Sequence, residues 1–420
     1  MPGSGENHER TAIYRAQKSG RMPERVRAIV KPELLTWARD SAGFSVPEAA
    51  EKLHLDPDRL AAWEAGDDAP TIPQLRRVAQ LYRRPLAVFY LQEVPGDFQV
   101  IRDLRRLPGT GMRRMPPQLR LEIRRASQLR ALALELLEDA GETAPRFALS
   151  ATQADGSEAV GQRIREAFRL TEDEQRRWRD QDGREAFRGW RDRIEAAGVL
   201  VFQATHFDAD EASGFAIAEP VLPVVAVNRK DPPTRRTFSL LHEFVHLMLS
   251  ISGVSDLHTD EARPPEDQAI EIFCNQAAAA ALMPRDWLLR EALVTLRGAR
   301  AITWLDSEVA DLARGFGVSR EAMLRRLLTL GRTTDIFYRQ KRAQYLAEYR
   351  ALRERQRESA AEDTILRNMP LETVSNIGRP LVRMILGNYY QDRLSLSEVA
   401  GYLGIKTKHI SKLEQVAGLR

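Results

Sequence analysis

One stretch of the chain limits its possible folds more than any other. In RRTFSLLHEFVHLMLS, residues 235–250, apolar side chains fill most positions (Phe238, Leu240, Leu241, Phe244, Val245, Leu247, Leu249), the pattern of a helix buried on nearly every face. Set into it are His242, Glu243 and His246. Ionisable groups on a buried helix are costly unless something satisfies them. Histidines four apart share one helix face, so both imidazoles can reach a single metal ion, and Glu243 on the neighbouring flank can hold a water molecule beside it. With zinc there, that water would have a pKa of ~7, and Glu243 would take its proton and later pass it to a leaving amine.

Catalytic zinc usually has three protein ligands and one open position. A continuation with glycine and a third histidine is absent, because those places hold Leu249 and Ser252. The best third donor is Glu271, on a helix expected over Pro265 to Leu282, and Asn275 lies one turn further on the same face, placed to orient a ligand. Glu266, Asp267, Asp260 and His258 are weaker competitors. Cys274 is a softer donor, but its place beside an alanine run indicates packing. Ligand type leaves manganese or iron open as substitutes for zinc.

The neighbourhood is the only clear β content. GVLVFQA, GFAIA and LPVVAVNR are short apolar runs separated by turn residues, so about three strands precede the metal helix. Before them, helices are expected between Ala159 and Ala197, with Trp178 and Trp190 as core anchors. The remainder reads as helical. The expected fold is therefore mainly α with a small α+β core.

From Val26 to Leu91 short amphipathic helices alternate with polar joints, Ser45 and Asp56 at N-cap positions and Gly43 and Gly66 just past helix ends. Ser45-Val46 with Ala49-Ala50, Leu55, Trp63-Glu64-Ala65-Gly66, Pro70, Leu75, Leu81 and Tyr82 resemble the helix-turn-helix of the XRE (Cro/C1-type) repressor family. In that family the third helix enters the major groove. Here it opens with Asp56 and Asp58 ahead of Arg59, and acids there repel phosphates. DNA and protein docking therefore stand as rival uses of this module. Two later stretches are helix-turn-helix-like, Ser307 to Gly331 and Leu394 to Gln415. The last carries Lys406, Lys408, His409 and Lys412, electrostatically the better grip on a phosphate backbone. The arginines opening the helix Gln118 to Glu138, and the charged helix after Tyr338, are expected to be solvated faces.

The order of strands, then Phe238, Leu240, His242, Glu243 and His246, then Glu271, Asn275, Ala278, Ala279, Leu282, Met283 and Pro284 resembles the ImmA/IrrE family of metallopeptidases. The likeness covers most of residues 160–330. Leu241 and Val245 stand where the family more often has alanine and glycine, and Gln276 to Ala279 where Phe-Ala-Ala is common. The resemblance implies a gluzincin-like zinc site with His242, His246 and Glu271 as ligands and Glu243 as the catalytic residue. It also implies site-specific cleavage of a helix-turn-helix repressor or antitoxin-like partner, in a stress-response, mobile-element or toxin–antitoxin setting. The alternative is a DNA-binding XRE-type regulator whose metal domain senses or scaffolds.

The expected organisation is a disordered basic arm (1–25), an XRE-type domain (26–93), a linker and long helix (94–157), a zincin-like peptidase domain (158–295), a helix-turn-helix-like extension (296–350) and a C-terminal helix-turn-helix-like domain (351–420). One cysteine in 420 residues excludes an internal disulfide framework, and no apolar run approaches a membrane span, so a cytoplasmic protein is expected. A net charge of +4 permits contact with DNA without demanding it, and a homodimer stays open.

Overall fold

The computed structural model describes residues 27–95, 102–103, 115–180, 182–208, 211–255, 265–298, 302–360 and 368–418. The expected arm over 1–25, residues 96–101 and 104–114 of the expected linker, and the candidate donors His258 and Asp260 lie outside the described residues. The chain divides into two compact units, Met1–Phe98 and Gln99–Arg420.

The first unit holds α1 (Pro32–Ala42), α2 (Val46–Leu53), α3 (Pro57–Ala65) and α4 (Ile72–Leu81). Polar caps set their ends. The Ser45 hydroxyl accepts from the Glu48 backbone N–H while Glu48 accepts from that of Ser45, and Thr71 and Gln74 repeat this box before α4. Gly43 and Gly66 end α1 and α3 at φ 85, a left-handed conformation that favours glycine. Leu34, Ala38, Ala49, Ala50, Trp63, Leu75 and Val78 form the shared core. Arg39 clamps α1 to α3 by a two-pronged bond to the Glu64 carboxylate at 2.8 and 2.9 Å.

The second unit is built on a five-stranded mixed sheet of β1 (Arg102–Asp103), β2 (Leu200–Ala204), β3 (Gly214–Ile217), β4 (Val224–Asn228) and β5 (Gly253–Ser255), in the order β1-β5-β3-β4-β2. The three expected strands are β2, β3 and β4. Two short ones, too brief to show a periodicity, extend the sheet beyond them. β2 runs parallel to β4, and β3 runs antiparallel to both β4 and β5.

Helices cover both faces. On one lie α5 (Pro117–Asp139) and, from the far end of the chain, α16 (Met369–Ile377), α17 (Arg379–Tyr390), α18 (Leu396–Leu403) and α19 (Ile410–Ala417), sharing a core with Phe202, Phe215 and Val224. On the other lie α6 (Ser157–Ala167), α7 (Glu172–Arg177), α8 (Arg184–Ala196), α9 (Pro233–Met248) and α10 (Pro265–Leu282), packed with Val201, Ala216 and Val225. α11 (Arg285–Arg290), α12 (Ala292–Arg297), α13 (Asp306–Phe316), α14 (Arg320–Thr329) and α15 (Asp335–Ala360) continue this side. Strands buried on both faces have no solvent side to show, which is why β2 and β4 are mostly apolar, with Gln203 and Asn228 as buried exceptions.

Two charged helices depart from the solvated faces expected of them. Arg130 of α5 donates to the Val221 and Leu222 carbonyls at 2.8 and 3.0 Å, and Arg124 is buried. In α15 the face carrying Tyr338 and Tyr345 is buried in the core. Trp190 is fully buried and Trp178 half-buried against it, their rings 5.9 Å apart.

The alanine run of α10 has a packing cause. α6 crosses it so closely that a Cβ on Gly161 would lie 2.6 Å from the Ala280 Cβ and 2.7 Å from the Ala281 nitrogen. Only small residues allow that approach, and the crossing fixes where Glu271 stands. Gly161→Val is expected to destabilise the protein by about 1–3 kcal/mol through overpacking, read as a lower urea midpoint at unchanged m-value.

Candidate metal centre

α9 begins at Pro233, where proline's missing N–H goes unnoticed, and its apolar faces pack into the core through Leu240, Leu241, Phe244 and Val245. Leu241 and Val245, the two departures from the resembled pattern, thus face core neighbours. His242, Glu243 and His246 are themselves fully buried. α10 supplies the other half. Glu271 on its second turn is 1 % exposed, and its carboxylate oxygens stand 3.4 Å from His242 Nε2 and 3.2 Å from His246 Nε2. The two Nε2 atoms are 3.1 Å apart. One donor atom from each of these three residues lies within 4.8 Å of the others, and no other such cluster occurs among the described residues.

The surroundings select the protonation states. Asn275, one turn beyond Glu271, holds its Oδ1 3.1 Å from His242 Nδ1. An Nδ1 proton donated to that oxygen would leave the Nε2 lone pair free for an ion held in the cluster. Burial alone would raise the Glu271 carboxyl, but attraction to His242 and hydrogen bonds from both imidazoles hold it well below the usual carboxylate range. Glu243 goes the opposite way: burial, then the charge of Glu271, push it well above that range, with the Ser255 hydroxyl opposing weakly. A cation among the three donors would reverse the second of these influences. Two imidazole nitrogens and a carboxylate brought together in a buried core make the donor chemistry of a divalent metal site.

Cys274 belongs to the packing. Burial and the nearby Glu271 and Glu243 charges raise its thiol well above the normal value, so it stays protonated in the core. Among the weaker donor candidates, Glu266 is exposed and Asp267 buried on the first turn of α10, and neither joins the cluster.

Gly214 escaped the sequence reading. A Cβ there would lie 3.0 Å from Glu243 Oε1 and 2.6 Å from the Ala226 carbonyl oxygen, so β3 can pass the carboxylate only as glycine. The available signal was a glycine opening an apolar run. Beside Asn275 opens a cavity of about 220 Å³ lined by Phe238, Ala322, Tyr345, Leu346 and Tyr349.

The candidate nucleic-acid residues lie elsewhere. Arg59 is exposed on α3, its guanidinium 5.8 Å from the Trp63 ring. Asp56 caps that helix, accepting from the Asp58 N–H at 2.9 Å, so one of the two leading acids has a structural use. Lys406 precedes a short 3-10 turn that holds Lys408 and His409, and only Lys412 is on α19 itself. The three lysines are exposed and His409 is half-buried. No helix among the described residues is long and apolar enough to cross a membrane.

Residues 194–328 match a peptidase family model described as the IrrE N-terminal-like domain, and residues 35–89 match a helix-turn-helix family model. A stretch of 108 residues is 34 % identical to the radiation response metalloprotease IrrE of Deinococcus deserti. That stretch is 25 % of this chain and 36 % of the relative's length. One segment of the chain is thus similar to an IrrE-like peptidase domain and another to a helix-turn-helix domain.

Replacing His242, His246 or Glu271 by alanine is expected to abolish stoichiometric zinc uptake. Asn275→Ala should weaken zinc affinity ~10- to 100-fold by releasing the imidazole, measured by competition with a chromogenic chelator.

Proposed function

We propose that the protein is a zinc-dependent, site-specific endopeptidase whose substrate is a helix-turn-helix transcriptional repressor. The observation that carries this reading is the convergence of His242, His246 and Glu271, with Glu243 beside them, inside a segment similar to a metalloprotease.

In this reading His242 and His246 offer their Nε2 lone pairs and Glu271 one carboxylate oxygen. Zinc bound there supplies Lewis acidity toward water and the scissile carbonyl, and manganese or iron would suit the same donors. Asn275 keeps His242 in the tautomer that can bind. Glu243 accepts a proton from the attacking water as its oxygen joins the carbonyl carbon. It then delivers that proton to the amine nitrogen as the carbon–nitrogen bond breaks. The cavity lined by Asn275 and Phe238 is the candidate place for substrate side chains, reaching the cluster through Asn275.

A peptide bond carries little identity of its own, so a selective protease needs a docking device, and the helical modules supply candidates. Similarity to a radiation response protein favours a stress-response setting, and nothing comparable favours a toxin–antitoxin one. The helix-turn-helix match supports a second reading, a transcription regulator whose metal domain senses or scaffolds. Its operator binding, through Arg59 or the lysines at 406, 408 and 412, would be independent of Glu243 and would weaken steeply with salt.

Glu243→Gln is expected to retain zinc yet lower cleavage by at least ~100-fold. A survey of new protein N-termini in cells making wild type or Glu243→Gln, resting and after DNA damage, reads this directly. New termini in a repressor with wild type alone support the protease. Identical termini in both, under both conditions, refute it.

A further inference from the structure

A second cavity, away from the metal cluster, is lined by more cationic than anionic side chains, and two of the cations lack an acidic ion-pair partner among the described residues. It has a volume of about 220 Å³ and lies among α8, Gln203 of β2, the start of α9 and the C-terminal helices α16, α17 and α19. Five arginines line it: Arg184, Arg188, Arg191, Arg236 and Arg379. Against them stand only Asp192 and Glu195.

The arginines are not equally satisfied. Arg191 is paired with Glu195 at 2.8 Å and donates to the Val201 and Ser375 carbonyls. Arg188 leans outward to Glu185, and Arg184 reaches Asp182 at 3.8 Å. Arg236 bonds only the neutral Gln203, and its Nε is buried with no hydrogen-bond partner among the described residues. Arg379 makes no ion pair among the described residues, and it opens α17, whose N-terminal N–H groups add positive potential. Burial first, then repulsion from Arg229, push Arg236 down to about 10 against the attraction of Asp231, with Arg191 and Arg184 adding smaller repulsion.

We infer that this cavity is a binding site for a phosphoryl group. Guanidinium forks from separate elements match the several oxygens of a phosphate, each able to accept two hydrogen bonds from one arginine. The volume falls below the ~300–1,000 Å³ of sites that enclose drug-sized ligands, so the occupant is inorganic phosphate or the head of a small phosphate ester. A bound phosphate would join α9, which carries the metal-site histidines, to the C-terminal helices. This inference is independent of any peptidase activity.

The test is calorimetric titration of the full-length, zinc-loaded protein with inorganic phosphate and with AMP, at fixed ionic strength. One saturable site is expected, with affinity lowered at least ~10-fold in Arg236→Gln and in Arg379→Gln. Arg379 is exposed, so its variant should keep the wild-type circular dichroism and separates lost binding from lost fold. Equal affinities would identify free phosphate as the ligand, and tighter AMP an ester; both uphold the site. No binding of either probe, or binding unchanged in Arg379→Gln, overturns it.

Discussion

Two imidazoles and two carboxylates enclosed together in an apolar core make up the constraint that the surrounding structure serves. Each alone would be costly to bury. Together they are tolerable because Glu271 faces both Nε2 atoms and Asn275 takes the outer proton of His242. Holding that arrangement requires two helices at fixed separation, which the Gly161–Ala280 crossing secures from behind α10. It also requires a strand that can pass Glu243 without a side chain, which Gly214 provides. The histidines are thus the visible part of a site whose accuracy rests on residues with almost no side chain.

Much of this was legible in the chain because the relevant signals are local. The ends of α10 at Pro265 and Leu282 follow from a proline at each boundary, and the caps at Ser45 and Asp56 from side chains that bond their own helix. The pairing of His242 with His246 follows from helix period alone. Glu271 could be favoured but not isolated, because selection among the six candidate donors depends on how α9 and α10 pack. Gly214, β5 and the two-residue β1 were illegible: their meaning comes from partners distant in the chain. The same holds for α5 and α15, where a charge-rich composition hid buried faces. Arg130 bonds the Val221 and Leu222 carbonyls, and nothing near position 130 announces them.

The two units use buried charge differently. In the first, Arg39 and Glu64 neutralise each other and fix the angle between two helices. In the second, Arg326 does similar work, tying α14 to Glu158 of α6 and to the Met283 carbonyl at the end of α10. These pairs are closed. The metal cluster and the arginine-lined cavity instead present like or facing donors, which the proposed zinc and phosphate would complete from outside the chain. That contrast separates scaffold from site more cleanly than burial does.

The sheet's two coverings are made at different times. Its last strand is complete at Ser255, whereas α16 to α19, which seal the face bearing Phe202 and Phe215, begin only at Met369. At ~5–20 residues per second a ribosome needs on the order of ten seconds to cross that interval. During it, one side of the sheet has α5 for shelter and otherwise bare apolar strands, an adhesive surface for other nascent chains. Chaperone occupancy on translating ribosomes should therefore peak within this window, in which the sheet face opposite the metal helix is still open.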